Sequence, residues 1–447
     1  MTLTATPRAR PRADAASPST EAAADPSDAQ PELFDRLRQV EFSRLEATGQ
    51  VYLDYTGGGL YGASQVRRHA ELLLTGVYGN PHSENPTSSA STELVERARR
   101  RVLDYFRADP EEYAVIFTAN ASHALKLVGE SYPFEAGDRF LLTFDNHNSV
   151  NGIREFDRAH GAGTTYVPLA ADLRVDDAVL DEHLERVPAG HHHLFAFPAQ
   201  SNFSGVQHPP EWIALAQGRG WDVLLDAAAF VPTHRLDLGV WKPDFVTLSF
   251  YKMFGYPTGL GALIGRREAL AKLRRPWFAG GTIAVASVRS DRYVAADGEA
   301  AFEDGTLSYT AIPAIEYGLD LLESVGIDNI HRRVRWLTGW LLERLLALSH
   351  PNGRPLIHLY GPPSVEGRGG TLAFNFYDRD GRVMDHGRVE RLAARRRLSI
   401  RTGCFCNPGA GESALGLSKE QIDGCLEGSR ERVSAAEFRR CVASLEG

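Results

Sequence analysis

The sequence predicts an α/β fold: a mostly parallel sheet sandwiched by helices, followed by a smaller C-terminal α+β domain. Two observations lead there. From Val51 onward, short β-branched and apolar runs alternate with helical patterns, which points to a parallel sheet covered on both faces. After about Tyr309 the alternation stops and helices dominate. The strands are VYLDY from Val51, AVIFTAN from Ala114, FLLTFDNH from Phe140, TTYVPL from Thr164, HLFAFPAQ from His193, DVLLDAA from Asp222, FVTLSF from Phe245 and GALIG from Gly261. Helical stretches fall between many of them: Ser91 to Phe106, His123 to Glu130, Ile153 to His160 and Pro210 to Arg219. An amphipathic segment around Phe34 to Leu45 precedes the first strand. Helices are expected to dominate from Ala311 to Leu348, followed by the sheet-like LIHLYG and TLAFNFY, then more helix. The expected organisation is a disordered tail over residues 1–30, a large α/β domain with its N-terminal segment over 31–310, and the smaller domain over 311–447. No internal repeat is seen.

The chain has 447 residues, is 43% apolar and 24% charged, and carries a formal net charge of −8. A mildly acidic balance argues against nucleic acid or an anionic membrane as the main partner. No apolar run approaches the roughly 18 residues of a membrane span. The first 30 residues are rich in Ala, Pro, Ser and Asp and lack the apolar stretch of a secretory signal. Four cysteines in so long a chain do not suggest a disulfide scaffold, so a reducing cytoplasm is the expected compartment.

Candidate chemistry begins at Ser249-Phe-Tyr-Lys252, where an apolar run ends at a lysine and gives way to glycines. A lysine so held forms imines with aldehydes once burial or a neighbouring cation lowers its pKa. Alone, it reads equally well as a strand-end lysine at the surface. Upstream, Val223-Leu224-Leu225 reads as a buried parallel strand ending in Asp226. Ligands collect at that end of open α/β sheets, and a carboxylate there suits the pyridine nitrogen of pyridoxal phosphate. The competing reading makes Asp226 the N-cap of a helix over Ala227 to Ala229. Two neighbouring strands would bring Asp226 and Lys252 to one crevice.

Other strand ends add candidates. Phe117 to Leu125 reads as strand, tight turn and helix start, so Asn120, Ala121 and Ser122 form a cup suited to phosphate. His147 could stack on a flat cofactor. Gln200 to Asn202 offer amides and a hydroxyl for a phenolic oxygen. Phe278-Ala-Gly-Gly-Thr282 is a further glycine turn with a hydroxyl. Near the C-terminus, RTGCFCNPGA places Cys404 and Cys406 in a Gly- and Pro-containing loop. A zinc site, structural thiols and a nucleophilic thiolate are all open there; Arg401 would favour the thiolate and could hold a carboxylate. Cys425 and Cys441, inside helical patterns, read as structural thiols.

Taken together, YLDYTGGGLYG, VYGNPHS, FTANASHALKLVGE, PAQSNFSGVQ, LLDAAAFVPT, DFVTLSFYKMFGYPTGLGALI, FEDGTLSY and RTGCFCNPGA resemble the class V aminotransferase superfamily, pyridoxal-phosphate fold type I. Within it they are most similar to the N-terminal cysteine desulfurase domain of molybdenum cofactor sulfurases. The likeness runs from about residue 50 to 415. It implies a seven-stranded type of large domain and pyridoxal 5′-phosphate as cofactor. By the resemblance, Lys252 is the Schiff-base lysine, Asp226 partners the pyridine nitrogen, His147 stacks on the ring and Asn202 meets its 3-oxygen. Ser122, Ser249 and backbone around Ala121 hold the phosphate; Thr282 reaches the phosphate of a neighbouring subunit, implying a homodimer. Arg401 binds the substrate α-carboxylate and Cys406 takes its sulfur. The implied reaction converts L-cysteine to L-alanine and passes a persulfide to an acceptor, a small molecule or a protein.

Departures from the pattern are visible. Tyr251 stands where many desulfurases have a histidine, and Ala229 where they have a glutamine. Asn120 replaces a usual glycine, which the left-handed region would tolerate. The sequence ends at Gly447, without the further domain of eukaryotic sulfurases, so a stand-alone sulfur donor is expected. A pyridoxal-phosphate-dependent C–S lyase, an epimerase or another sulfur-inserting enzyme is the alternative, and so is a carrier without turnover.

Overall fold

The computed structural model describes residues 30–81, 83–427 and 441. Apart from Gln30, the expected tail over residues 1–30 lies outside the described residues. A sheet of seven strands forms the centre: β1 (Tyr113–Thr118), β2 (Arg139–Thr143), β3 (Gly163–Val167), β4 (Leu194–Pro198), β5 (Asp222–Asp226), β6 (Phe245–Ser249) and β7 (Gly261–Arg266). Their spatial order is β1-β7-β6-β5-β4-β2-β3. Every neighbouring pair is parallel except those made by β7, which runs against both β1 and β6. The expected mostly parallel α/β sheet is what forms.

Strand side chains alternate between two buried layers. Phe195, Phe197, Val223, Leu225, Val246 and Leu248 enter one core. Leu194, Ala196, Leu224, Phe245 and Leu263 enter the other, under the helix Ala121–Ser131. Burial on both faces explains why these strands read as continuous apolar runs rather than alternating ones.

All strands but β7 share one direction, so their C-terminal ends line one edge of the sheet. Thr118, Thr143, Pro198, Asp226 and Ser249 stand at that edge. The predicted site residues follow those ends: Ala121 and Ser122 after β1, His147 after β2, Asn202 after β4, Asp226 on β5, Lys252 after β6.

One expected element differs in detail. VYLDY contributes only Val51–Tyr52, which leaves the main sheet and pairs in parallel with Leu398–Ser399. The helices expected from Ala311 to Leu348 are Ala314–Val325 and Ile327–Leu346, divided at Gly326 with φ 85°. LIHLYG and TLAFNFY form an antiparallel ladder, Ile357–Tyr360 with Ala373–Phe376.

Lys252 sits on a short helix, Phe250–Phe254, buried under Ala314–Val325. The two helices meet at Gly318, where an added Cβ would lie 2.1 Å from the Phe254 ring. Phe254 is buried and has no room to retreat. The substitution Gly318→Ala should therefore destabilise the protein by about 1–3 kcal/mol through overpacking, read as a lower urea midpoint. An unchanged midpoint would show that the two helices do not pack as described.

Candidate functional site

His147, Asn202, Asp226 and Lys252 line one small cleft at this edge. Ala228 and Ala229 also line it, with side chains no larger than a methyl group. Asp226 is buried, and one carboxylate oxygen accepts the Ala228 N–H at 3.0 Å. The N-cap geometry expected of Asp226 is thus partly present, but residues 227–229 form turns rather than a helix. Burial lowers the Lys252 pKa, and the opposing pull of Asp226 does not cancel it.

His147 caps a short helix, its Nδ1 accepting the Ser149 N–H at 3.1 Å. That bond leaves the ring proton on Nε2. Burial, the larger influence, and the nearby Lys252 cation push the His147 pKa below its usual 6.5, against the pull of Asp226. A neutral ring suits stacking on an aromatic cofactor.

The phosphate end is a cluster of hydroxyls. Ser249 Oγ accepts the Ala121 N–H at 2.8 Å, tying the end of β6 to the start of helix Ala121–Ser131. Ser122 Oγ lies 2.6 Å from Ser149 Oγ. Ser149 was missed by the sequence reading, although its place two residues after His147 was available as a signal. Asn120 is not left-handed, as expected from its replacing glycine. Its φ is −176°, and its side chain caps the helix by accepting the His123 N–H at 3.0 Å. A side chain that can cap gains more here than a glycine's freedom would.

Ala229, which departs from the expected glutamine, is met by another one: Gln200 Nε2 donates to the Ala229 carbonyl at 3.1 Å, and both line the cleft. Tyr251 is half-buried, with its ring against Gly58. Thr282 does not join the cleft of its own chain. It is buried in its turn, accepting the Ala279 N–H at 2.9 Å and donating to the Ala279 carbonyl at 3.0 Å.

Asn202 does more than the sequence predicted. Its Nδ2 donates to the Phe405 carbonyl at 2.7 Å, and its Oδ1 accepts from Asn407 Nδ2 at 3.0 Å. Asn407 Nδ2 also reaches the Asp145 carbonyl at 2.6 Å, and the Asn148 N–H donates to the Cys406 carbonyl at 2.7 Å. The Cys406 loop is thereby bolted to the ends of β2 and β4. Phe405 and Cys406 both hold left-handed backbone, φ 55° and 58°, a conformation that non-glycine residues adopt at a cost. The carbonyls of these two residues receive the Asn202 and Asn148 bonds. Cys404 and Cys406 are free and exposed. The Cys406 side chain is near enough to act electrostatically on both Lys252 and Arg401, although burial keeps the Lys252 pKa lowered.

Arg401 is not free. Its Nε and Nη2 donate to the two oxygens of Asp54 at 2.8 and 3.0 Å. Sequence reading did not single out Asp54.

Cys425 and Cys441, expected as thiols, form a disulfide, with Cα atoms 5.7 Å apart. Sixteen residues of separation gave no local signal; the end of helix Lys419–Glu427 brings Cys425 to its partner. Cysteine usage therefore no longer argues for a reducing compartment. Among the described residues, no group of three or more His, Cys, Asp or Glu side chains is arranged to hold a metal, and no helix is long and apolar enough to cross a membrane.

The family description "Aminotransferase class-V" matches residues 51–417. The chain is similar to molybdenum cofactor sulfurases: 39% identical over 420 residues to that of Solanum lycopersicum, covering 87% of this chain and 51% of the relative. Against that of Bos taurus it is 40% identical over 408 residues, covering 86% and 46%. The chain thus spans about half the length of the curated relatives it matches. Among solved structures, a cysteine desulfurase from Thermococcus onnurineus NA1 matches with a TM-score of 0.74 at 22% identity, covering 92% of this chain and 97% of that one. A cystine C–S lyase in complex with cysteine persulfide matches with a TM-score of 0.66 at 19% identity, covering 84% and 99%. At those identities the likeness is one of fold.

The loop clamp is directly testable. Asn407 is fully buried, so Asn407→Ala leaves two buried acceptors without their donor, at a cost of about 1–3 kcal/mol. The loop should loosen with it: Cys406 should alkylate several-fold faster, followed by mass spectrometry of the modified peptide. Unchanged stability and alkylation would mean the clamp does not hold the loop.

Proposed function

The chain belongs to the aminotransferase class-V family, and from that premise we propose that it is a pyridoxal-phosphate-dependent cysteine desulfurase of the molybdenum-cofactor-sulfurase type. The cofactor is pyridoxal 5′-phosphate. The cleft fits it: a partly buried lysine with a lowered pKa, a buried carboxylate, a neutral histidine and small lining residues, with hydroxyls gathered at a helix N-terminus. When bound, the cofactor supplies an electron sink for a carbanion at the substrate Cα.

The observation that carries the desulfurase reading is the position of Cys406. Its loop is fastened by Asn202, itself a cleft residue, and its side chain lies within electrostatic reach of Lys252 and Arg401. A lyase or epimerase has no need of a thiol so fastened.

The residues divide the work as follows. Arg401 binds the α-carboxylate of L-cysteine. Asp226 would hold the pyridine nitrogen protonated, His147 would cover the ring, and the second N–H of Asn202 Nδ2 would be left for the 3-oxygen. Ser122, Ser249 and backbone around Ala121 would seat the phosphate, with Ser149 beside them, although the Ala121 N–H itself is already given to Ser249; Tyr251 borders the site. Lys252, as a free amine, takes the α-proton. The Cys406 thiolate attacks the substrate sulfur: an S–S bond forms, the C–S bond breaks, and its electron pair stays with Cβ, which takes up a proton, while Lys252 returns the α-proton to Cα. Alanine leaves, and the persulfide on Cys406 passes to a sulfur acceptor, a small molecule or a protein.

Two further calls belong to this reading. The domain division at about residue 310 makes the Cys406 loop part of the smaller unit, closing over the sheet edge of the larger. A homodimer is supported by the hairpin Ile283–Ser287 with Arg292–Ala295, which follows Thr282 and presents Val285, Val288 and Val294 to solvent, Val288 fully so. Apolar side chains gathered on one hairpin mark an interaction surface. A cytoplasmic location is part of the same reading only because the Cys406 thiol must stay reduced to act; the Cys425–Cys441 disulfide gives it no support.

In the holoenzyme, Cys406→Ser should lower alanine formation from L-cysteine at least ~100-fold while the cofactor's visible band still responds to L-cysteine. Mass spectrometry of the natural protein after turnover should find an extra sulfur on Cys406. Intact alanine formation by the variant would sink the desulfurase reading, and pyruvate with sulfide in place of alanine would favour a lyase. For the dimer, Val288→Asp should shift the sedimentation coefficient from dimer to monomer; a monomeric natural protein would refute it.

A further inference from the structure

Asp54 belongs to no step of the proposed reaction, yet it makes the only carboxylate contact to Arg401 among the described residues. The backbone dictates the meeting. Val51 pairs with Leu398 and Tyr52 with Ser399 in parallel register. The next rung is also made, the Leu53 N–H donating to the Ser399 carbonyl at 2.9 Å. Carrying that register two residues on sets Asp54 opposite Arg401. Their side chains pair there, Asp54 oxygens on Arg401 Nε at 2.8 Å and Nη2 at 3.0 Å.

The choice of edge matters. A guanidinium has two forks, Nε with Nη2 along its side and Nη1 with Nη2 at its tip. Asp54 takes the side fork. Nη1 and the second proton of Nη2 have no protein partner among the described residues. The tip fork is therefore free for a bidentate carboxylate.

The same segment is fastened to the site. The Gly59 N–H donates to the Tyr251 carbonyl at 3.0 Å, one residue before Lys252. Gly57 leaves space for the guanidinium: a Cβ there would stand 2.1 Å from Nη2. The Gly57 N–H contacts Asp54 Oδ1 at 3.3 Å, and Tyr52 Oη donates to the Asp54 and Gly58 carbonyls at 3.0 and 2.8 Å. The Arg401 side chain is 46% exposed and Asp54 22%, so the carboxylate is the more enclosed partner.

We propose that Asp54 is a positioning residue for substrate recognition: it grips the side fork of Arg401 and presents the tip fork to the α-carboxylate of the amino-acid substrate. Asp54 touches neither substrate nor cofactor. Its negative charge opposes a second carboxylate nearby, but a long, half-exposed arginine fixed in one rotamer loses less freedom on binding. The inference rests on the reading of Arg401 as the carboxylate site.

The test compares L-cysteine with cysteamine, which has the amine and thiol but no carboxylate. Holoenzyme carrying Asp54→Ala, Asp54→Asn or Arg401→Ala is titrated with each, following the cofactor's visible band, with thermal melts to confirm folding. Asp54→Ala should weaken L-cysteine binding by about tenfold, leave cysteamine unchanged, and raise KM with kcat within about twofold. Asp54→Asn, which keeps the shape and loses the charge, should fall between. Equal weakening of both amines would show a structural role only. Unchanged or tighter binding of L-cysteine would make Asp54 a bystander or a competitor, and either overturns the proposal. If Arg401→Ala leaves the preference for L-cysteine over cysteamine intact, the reading of Arg401 itself fails, and Asp54 with it.

Discussion

The site depends on one constraint, the common direction of strands buried on both faces. Strands clothed by helices above and below offer no solvated face for polar chemistry. Polar side chains can stand only where the chain leaves the sheet. Because β1, β2, β4, β5 and β6 all run one way, those exits share an edge, and residues far apart in sequence are gathered without a separate binding domain. The antiparallel β7 lets the chain turn back straight after the Lys252 helix.

A second layer of organisation comes from the C-terminal part of the chain, which reaches that edge by polar bonds. Asn202, Asn407 and Asn148 hold carbonyls of the Cys406 loop and of β2's end. Two successive left-handed residues survive there because the bonds over-determine their conformation. Gly409 contributes by absence: a Cβ would meet the Phe144 carbonyl at 1.9 Å, so only glycine lets the loop seat this closely. At its other end the same part of the chain meets Val51–Tyr52, and Arg401 meets Asp54. The nucleophile and the carboxylate site are thus set by separate fastenings.

Much of this was legible in the residues. Strand runs were readable because two-sided burial demands unbroken apolar sequence, and the lysine and aspartate because each stood at the end of such a run. Other features left no local trace. Asp54 lies two residues past a short strand that joins no large sheet, and its partner is 347 residues away. Asn407, inside the RTGCFCNPGA loop, was not singled out, because its partners Asp145 and Asn202 lie more than 200 residues away. Cys425 and Cys441 read as buried thiols because helical periodicity says nothing of what a neighbouring segment brings. Asn120 was misjudged because a residue that tolerates left-handed backbone also caps helices, and only the observed φ separates the two.

The sequence by itself determined the layered α/β class, the order of its strands along the chain and the chemical types available at their ends, since these follow from local periodicity and composition. Tertiary structure alone decided which of those groups meet. It gave Asn202 to the Cys406 loop as well as the cleft, Asp54 to Arg401 and Ser149 to Ser122. Hydrogen bonds and ion pairs of that kind depend on ångström-scale distances between segments hundreds of residues apart, and one chain's local pattern carries no record of them.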